Sequence, residues 1–175
     1  MQYFSGFCLA NESELFEFAL KNSNDFTIGG FSYGAIKAFE AALHSKKRVD
    51  RVILISPAFF NEKDEKFKKM QLLFFTKDKA SYIQNFLKNI ASGSQIDMQK
   101  YFKIGSKEEL KELLYYKWDA KKLQELLKRG VTIEVFLGEN DKIINSKKAL
   151  EFFKENATNV YFFKRANHIL KANND

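Results

Sequence analysis

Gly30-Phe31-Ser32-Tyr33-Gly34 follows the pattern G-x-S-x-G, a serine flanked at two residues' distance by positions without side chains. That spacing suits a sharp strand-to-helix turn, where backbones crowd and larger residues collide. A serine at the tip of such a turn stands at a helix N-terminus, whose dipole favours developing negative charge. Serine attacks a carbonyl carbon only when a base takes its proton, so the motif requires a histidine elsewhere. The chain has two, His44 and His168. His44 falls at the far end of the helix that Ser32 would open, about 18 Å away at a rise of 1.5 Å per residue, and reads as a cation near a helix C-terminus. His168, in "KRANHIL" just past the last predicted strand, is the candidate base. Asp141, ending "VFLGEND", is the candidate acid that orients the imidazole, with Glu139 as its rival two residues earlier.

The same chemistry needs two backbone N–H groups for the oxyanion of a tetrahedral intermediate. Tyr33, next to the serine, offers one. Phe7 in "FSGFCLAN" offers the other, because Gly6 lets the chain turn tightly there. Cys8 beside it reads as a small apolar filler. Each residue also has a plainer role: Ser32 as a helix cap, Glu139 and Asp141 as turn residues, and His168 as a surface histidine.

The elements that must position these residues follow from hydrophobic pattern. Residues 2–7, 25–31, 51–60, 131–141 and 159–164 are short, β-branched or aromatic, and bounded by turn formers, so they predict strands. Residues 11–22, 33–47 and 146–157 predict helices, the first capped by Asn11 or Ser13. Alternating strands and helices predict an α/β fold with a mostly parallel sheet, and the carboxyl ends of parallel strands converge on one edge. Ser32 and His168 follow predicted strands and Asp141 ends one, so they can meet there. Residues 61–129 break the rhythm. They contain amphipathic helical patterns and no convincing strand, and predict a helical cap inserted into a core made of residues 1–60 and 130–175.

Composition narrows the function classes. The net charge is +7, and residues 61–129 hold 16 Lys and Arg against 10 Asp and Glu, whereas the rest holds 13 against 12. The basic excess therefore lies in the cap, where it either faces water or steers an acidic partner. One cysteine forms no internal disulfide, and with two histidines it cannot complete a four-ligand Cys/His metal site; no metal or cofactor is expected. The opening "MQYFSGFCLANE" lacks a basic n-region, and no run of about 18 apolar residues occurs. A soluble, cytoplasmic monomer that binds neither membrane nor nucleic acid is expected.

Together, "FSGF" with "NES", "GGFSYGAIKA", "ISPAFF", "FKKMQLLFF", "IEVFLGENDKI" and "ANHIL" make the chain resemble the α/β-hydrolases, and more narrowly the short BioV-type pimeloyl-acyl-carrier-protein methyl ester esterases of biotin synthesis. The resemblance covers nearly the whole chain. It implies Ser32 as nucleophile, Asp141 as acid, His168 as base, and Phe7 and Tyr33 as oxyanion donors. It also implies an acyl-carrier protein bearing a pimeloyl methyl ester as partner. Lys66, Lys68, Lys69 and Lys88 are then candidates for docking the acidic carrier, and Phe86 and Leu87 for lining an acyl tunnel. The chain departs from the wider family in having Ser5-Gly6 where His-Gly is usual, and in starting at the oxyanion strand without the first hairpin and one βα unit. A reduced α/β-hydrolase fold of about five strands with a helical cap is expected. A short-chain carboxylesterase or thioesterase with the same triad, and a non-catalytic α/β module that binds an acidic partner, are the alternatives.

Overall fold

Val52, Ile53, Leu54 and Ile55 are all completely buried, as a strand covered on both faces must be. In the computed structural model, which describes residues 1–172, they belong to the central strand of a five-stranded sheet. The strands are β1 (Gln2–Phe4), β2 (Thr27–Phe31), β3 (Arg51–Ile55), β4 (Thr132–Gly138) and β5 (Asn159–Phe163). Their order in space is their order in the chain, and every neighbouring pair is parallel. β2 is buried along its whole length, whereas the edge strand β5 is partly exposed. All five carboxyl ends therefore open onto one edge.

The helices are α1 (Glu17–Leu20), α2 (Tyr33–His44), α3 (Glu65–Lys77), α4 (Lys79–Ile90), α5 (Lys107–Tyr115), α6 (Ala120–Lys128) and α7 (Ser146–Asn156). α2 packs on β1, β2 and β3, and α7 packs on β4 and β5. Trp118 joins these layers: its ring lies 5.2 Å from Phe39 and 5.1 Å from Phe153, and its indole N–H donates to the Ala58 carbonyl at 2.9 Å. α3, α4 and α5 make the lid, and their starts are set by local sequence. Asp64 accepts from the Phe67 N–H, Asp78 accepts from the Ser81 N–H, and Ser106 with Glu109 forms a capping box.

Two boundaries differ from the sequence reading. α6, assigned there to the cap, packs against α2, α7 and β4, because Leu123 and Leu126 are buried; it is the crossover helix of the core. Residues 11–22 do not form one capped helix. They form a 3-10 turn (Glu12–Phe16) and the single turn α1, and neither Asn11 nor Ser13 caps with its side chain. The physical reason is Glu12, whose carboxyl turns inward to the Gly6 N–H instead of outward to water. Among the described residues no helix is long and apolar enough to cross a membrane.

β1 and the start of α2 touch through their backbones. A Cβ added to Gly34 would overlap the Phe4 carbonyl, and one added to Gly30 would overlap the Gly34 carbonyl. Gly34→Ala is therefore expected to lower unfolding free energy by about 3 kcal/mol, the upper range for overpacking in a rigid site. Chemical denaturation of the variant and wild type measures this.

Candidate active site

Ser32 lies between β2 and α2 with φ 53° and ψ −114°, a backbone conformation that a non-glycine residue adopts only under restraint. Three bonds hold it there. Its N–H donates to the Ile55 carbonyl at 2.8 Å, and its carbonyl accepts from the Ala35 and Ala58 N–H groups, each at 3.1 Å. The turn aims the hydroxyl at His168, whose Nε2 is 2.9 Å from Ser32 Oγ. His168 Nδ1 is 2.5 Å from Asp141 Oδ2. The other carboxylate oxygen of Asp141 accepts from the Ile143 N–H at 2.7 Å and the Ile144 N–H at 3.1 Å. Both side chains are fully shielded from solvent, which strengthens each of these bonds. With Nδ1–H donating to the carboxylate, Nε2 is left to accept the serine proton, so the chain of bonds can generate a nucleophile.

Each member follows its own strand: Ser32 after β2, Asp141 after β4, His168 after β5. Glu139, the rival acid, is exposed and accepts instead from the Arg165 N–H at 3.2 Å, bracing the turn that carries His168. His44 is at the surface, hydrogen-bonded to the Glu40 carbonyl.

Phe7 lines the same cavity as Ser32, Tyr33 follows the serine in the chain, and the backbone N–H of neither has an acceptor among the described residues. The Phe7 ring is gripped by the lid, 6.1 Å from Phe75 on α3 and 5.5 Å from Phe86 on α4. The Tyr33 hydroxyl donates to Glu112 on α5, and Lys37 sits over its ring at 4.2 Å. Burial, and then the Glu112 carboxylate, raise the Tyr33 phenol pKa, so the hydroxyl keeps its proton. Burial likewise pushes the Cys8 thiol up to about 11, which leaves it an inert filler at neutral pH.

A cavity of about 500 Å³ lies above Ser32, between the lid and the sheet edge, in the size range of small-ligand sites. Phe7, Phe60, Phe67, Phe86, Leu113 and Ile143 supply much of its apolar wall. Phe86 lines this cavity, whereas Leu87 does not. One residue along α4 turns the side chain away from this cavity, and Leu87 is a buried side chain bordering a separate hollow. Lys68, a docking candidate from the sequence, is buried. It is only 5% exposed, because α3 packs that face on α5, and its ammonium lies over the Tyr115 ring at 5.3 Å. Lys66, Lys69 and Lys88 are exposed; Lys69 pairs with Glu65 at 3.8 Å.

Three supporting residues escaped the sequence reading. Ser56, buried after β3 with φ 40°, donates its hydroxyl to the His168 carbonyl at 2.6 Å. Asn167 donates to the Ser92 carbonyl at 3.2 Å and so ties the histidine loop to the lid. Glu12 accepts from the Gly6 N–H at 2.9 Å. Ser56 had a faint signal, a polar residue closing an apolar strand before the sole proline. Glu12 had none, since "NESELFE" reads as an ordinary polar helix start.

No family model matches the sequence, and no curated protein does either. Solved structures share its fold. An esterase from Exiguobacterium antarcticum superposes with a TM-score of 0.62 at 18% identity, over 81% of this chain and 59% of that one. A bromoperoxidase from Bacillus anthracis gives 0.66 at 14% identity, over 82% and 60%. MenH from S. aureus gives 0.56 at 14% identity, over 91% and 83%. The chain thus spans less than two thirds of the length of the first two structures. The parallel sheet, the serine turn at the carboxyl end of β2 and these superpositions identify the architecture as the α/β-hydrolase fold in a five-stranded form.

Proposed function

We propose that the protein is a serine carboxylesterase that hydrolyses the methyl ester of a pimeloyl chain carried on acyl-carrier protein, releasing methanol. The observation that carries the ester-hydrolase part is the bonded chain Ser32–His168–Asp141 beneath an apolar cavity. Solved structures of the same fold described as an esterase and as carboxylesterases support it. The carrier-bound substrate rests on the sequence resemblance, on the basic surplus of residues 61–129 and on the exposed Lys66, Lys69 and Lys88.

In this reading His168 Nε2 accepts the Ser32 proton as Oγ adds to the ester carbonyl carbon. The Phe7 and Tyr33 N–H groups stabilise the oxyanion. The tetrahedral intermediate collapses, and the proton on His168 passes to the departing methoxy oxygen, giving methanol and an acyl-serine. Water then enters, gives a proton to His168 and displaces the acyl group, which leaves as the free carboxyl as the proton returns to Ser32. Asp141 holds the imidazole in the working tautomer and stabilises its charged form.

Ser32→Ala should reduce methanol release from the carrier-bound ester by at least about 10³-fold while the fold survives, and Asp141→Asn by a similar factor. Glu139→Gln should retain activity near wild type. Full activity of the Ser32 variant contradicts the reading, and the opposite ranking of the two acid variants reassigns the acid. Replacing Lys66 and Lys69 together by Glu should raise KM for the carrier-bound ester about tenfold at low salt. The same pair should leave a free methyl ester unaffected; an equal effect on both substrates contradicts carrier docking there.

A further inference from the structure

Glu12 is completely buried, yet only one of its carboxyl oxygens is hydrogen-bonded. Oε1 accepts from the Gly6 N–H at 2.9 Å and from the Tyr3 hydroxyl at 3.3 Å, whereas Oε2 has no partner among the described residues. An incompletely satisfied carboxyl in the interior costs stability, so its value lies in the bond it does make.

That bond restrains the residue before Phe7. Gly6 cannot be replaced by a stiffer residue, because a Cβ there would come within 2.8 Å of the Phe31 ring. Glycine is also the residue with the most backbone freedom, so the turn needs an external restraint. Two bonds supply it: Gly6 N–H to Glu12, and Gly6 C=O from the Leu9 N–H at 3.2 Å. The Gly6–Phe7 peptide is trans, so its carbonyl and the Phe7 N–H point in opposite directions. Fixing the carbonyl toward Leu9 and the preceding N–H toward Glu12 therefore fixes where the Phe7 N–H points.

We propose that Glu12 is a positioning residue for catalysis, holding Gly6 so that the Phe7 N–H is aligned as an oxyanion donor. The proposal rests on the reading of Ser32 and Phe7 given above. Tyr3 is secondary, since it shares the same oxygen at longer range. An oxyanion donor acts in the transition state and not on bound substrate, so its misalignment lowers kcat and spares KM.

The test is steady-state hydrolysis of a soluble p-nitrophenyl ester by wild type and the variants Glu12→Ala, Glu12→Gln and Glu12→Asp, with circular dichroism to verify folding. Glu12→Ala should lose about 100-fold in kcat with KM little changed, the scale of a lost oxyanion donor. Glu12→Gln keeps an oxygen for the Gly6 N–H and should recover most of kcat. Glu12→Asp keeps the charge on a shorter arm and should not. If Glu12→Ala is unfolded, the Gln and Asp variants alone decide. Undiminished kcat in Glu12→Ala, a change confined to KM, or equal losses in the Gln and Asp variants overturns the proposal while leaving the esterase reading intact. A wild type without turnover overturns that reading and this proposal with it.

Discussion

The backbone contact between Gly34 and the end of β1 is the constraint on which the site depends. It lets the N-terminus of α2 approach the Phe4 and Ser5 carbonyls so closely that no side chain fits between them. Because of that approach, the chain can leave β2, reverse at Ser32 and enter α2 within a single residue. The reversal holds Ser32 at positive φ, a strain of about 1–3 kcal/mol. Bonds to Ile55, Ala35 and Ala58 over-determine the turn, so it cannot relax. The same closeness brings the turn at residues 5–8, after β1, beside the serine. One steric fact thus sets the positions of the candidate nucleophile and of both candidate N–H donors.

The lid is fastened to the two loops that flank the serine. Residues 101–103 pair with residues 8–10, just past the turn after β1, through the Ala10 N–H to the Tyr101 carbonyl at 2.8 Å and the Lys103 N–H to the Cys8 carbonyl at 2.9 Å. On the other side Ile169 donates to the Ile90 carbonyl at 3.3 Å, next to the Asn167–Ser92 bond. Phe75 and Phe86 clasp Phe7 between them. The helices that form the cavity wall therefore also brace the groups around Ser32, so cavity shape and site geometry are mechanically linked.

Much of this was legible in the sequence because it follows from short-range rules. The five strands are apolar runs ended by turn residues, and the structure shortens them without moving them, β5 least and β3 most. The serine turn was legible because two glycines at fixed spacing have a steric cause. Asp141 and His168 were legible because parallel strands bring their carboxyl ends together. What escaped depends on long-range packing. α6 and the lid helices share the same amphipathic pattern, and only contact with α2, α7 and β4 makes α6 part of the core. Lys68 carries a charge on a face that α5 happens to cover. Glu12 and Ser56 act through hydrogen bonds to backbone groups, and backbone groups leave no trace in residue type.

The central claim, that Ser32 is an activated nucleophile, is tested most directly by intact-protein and peptide mass spectrometry after brief exposure of the folded protein to a fluorophosphonate. One phosphonyl adduct per chain, on Ser32, is expected. A folded protein that takes up no adduct, or takes it up elsewhere, contradicts the claim.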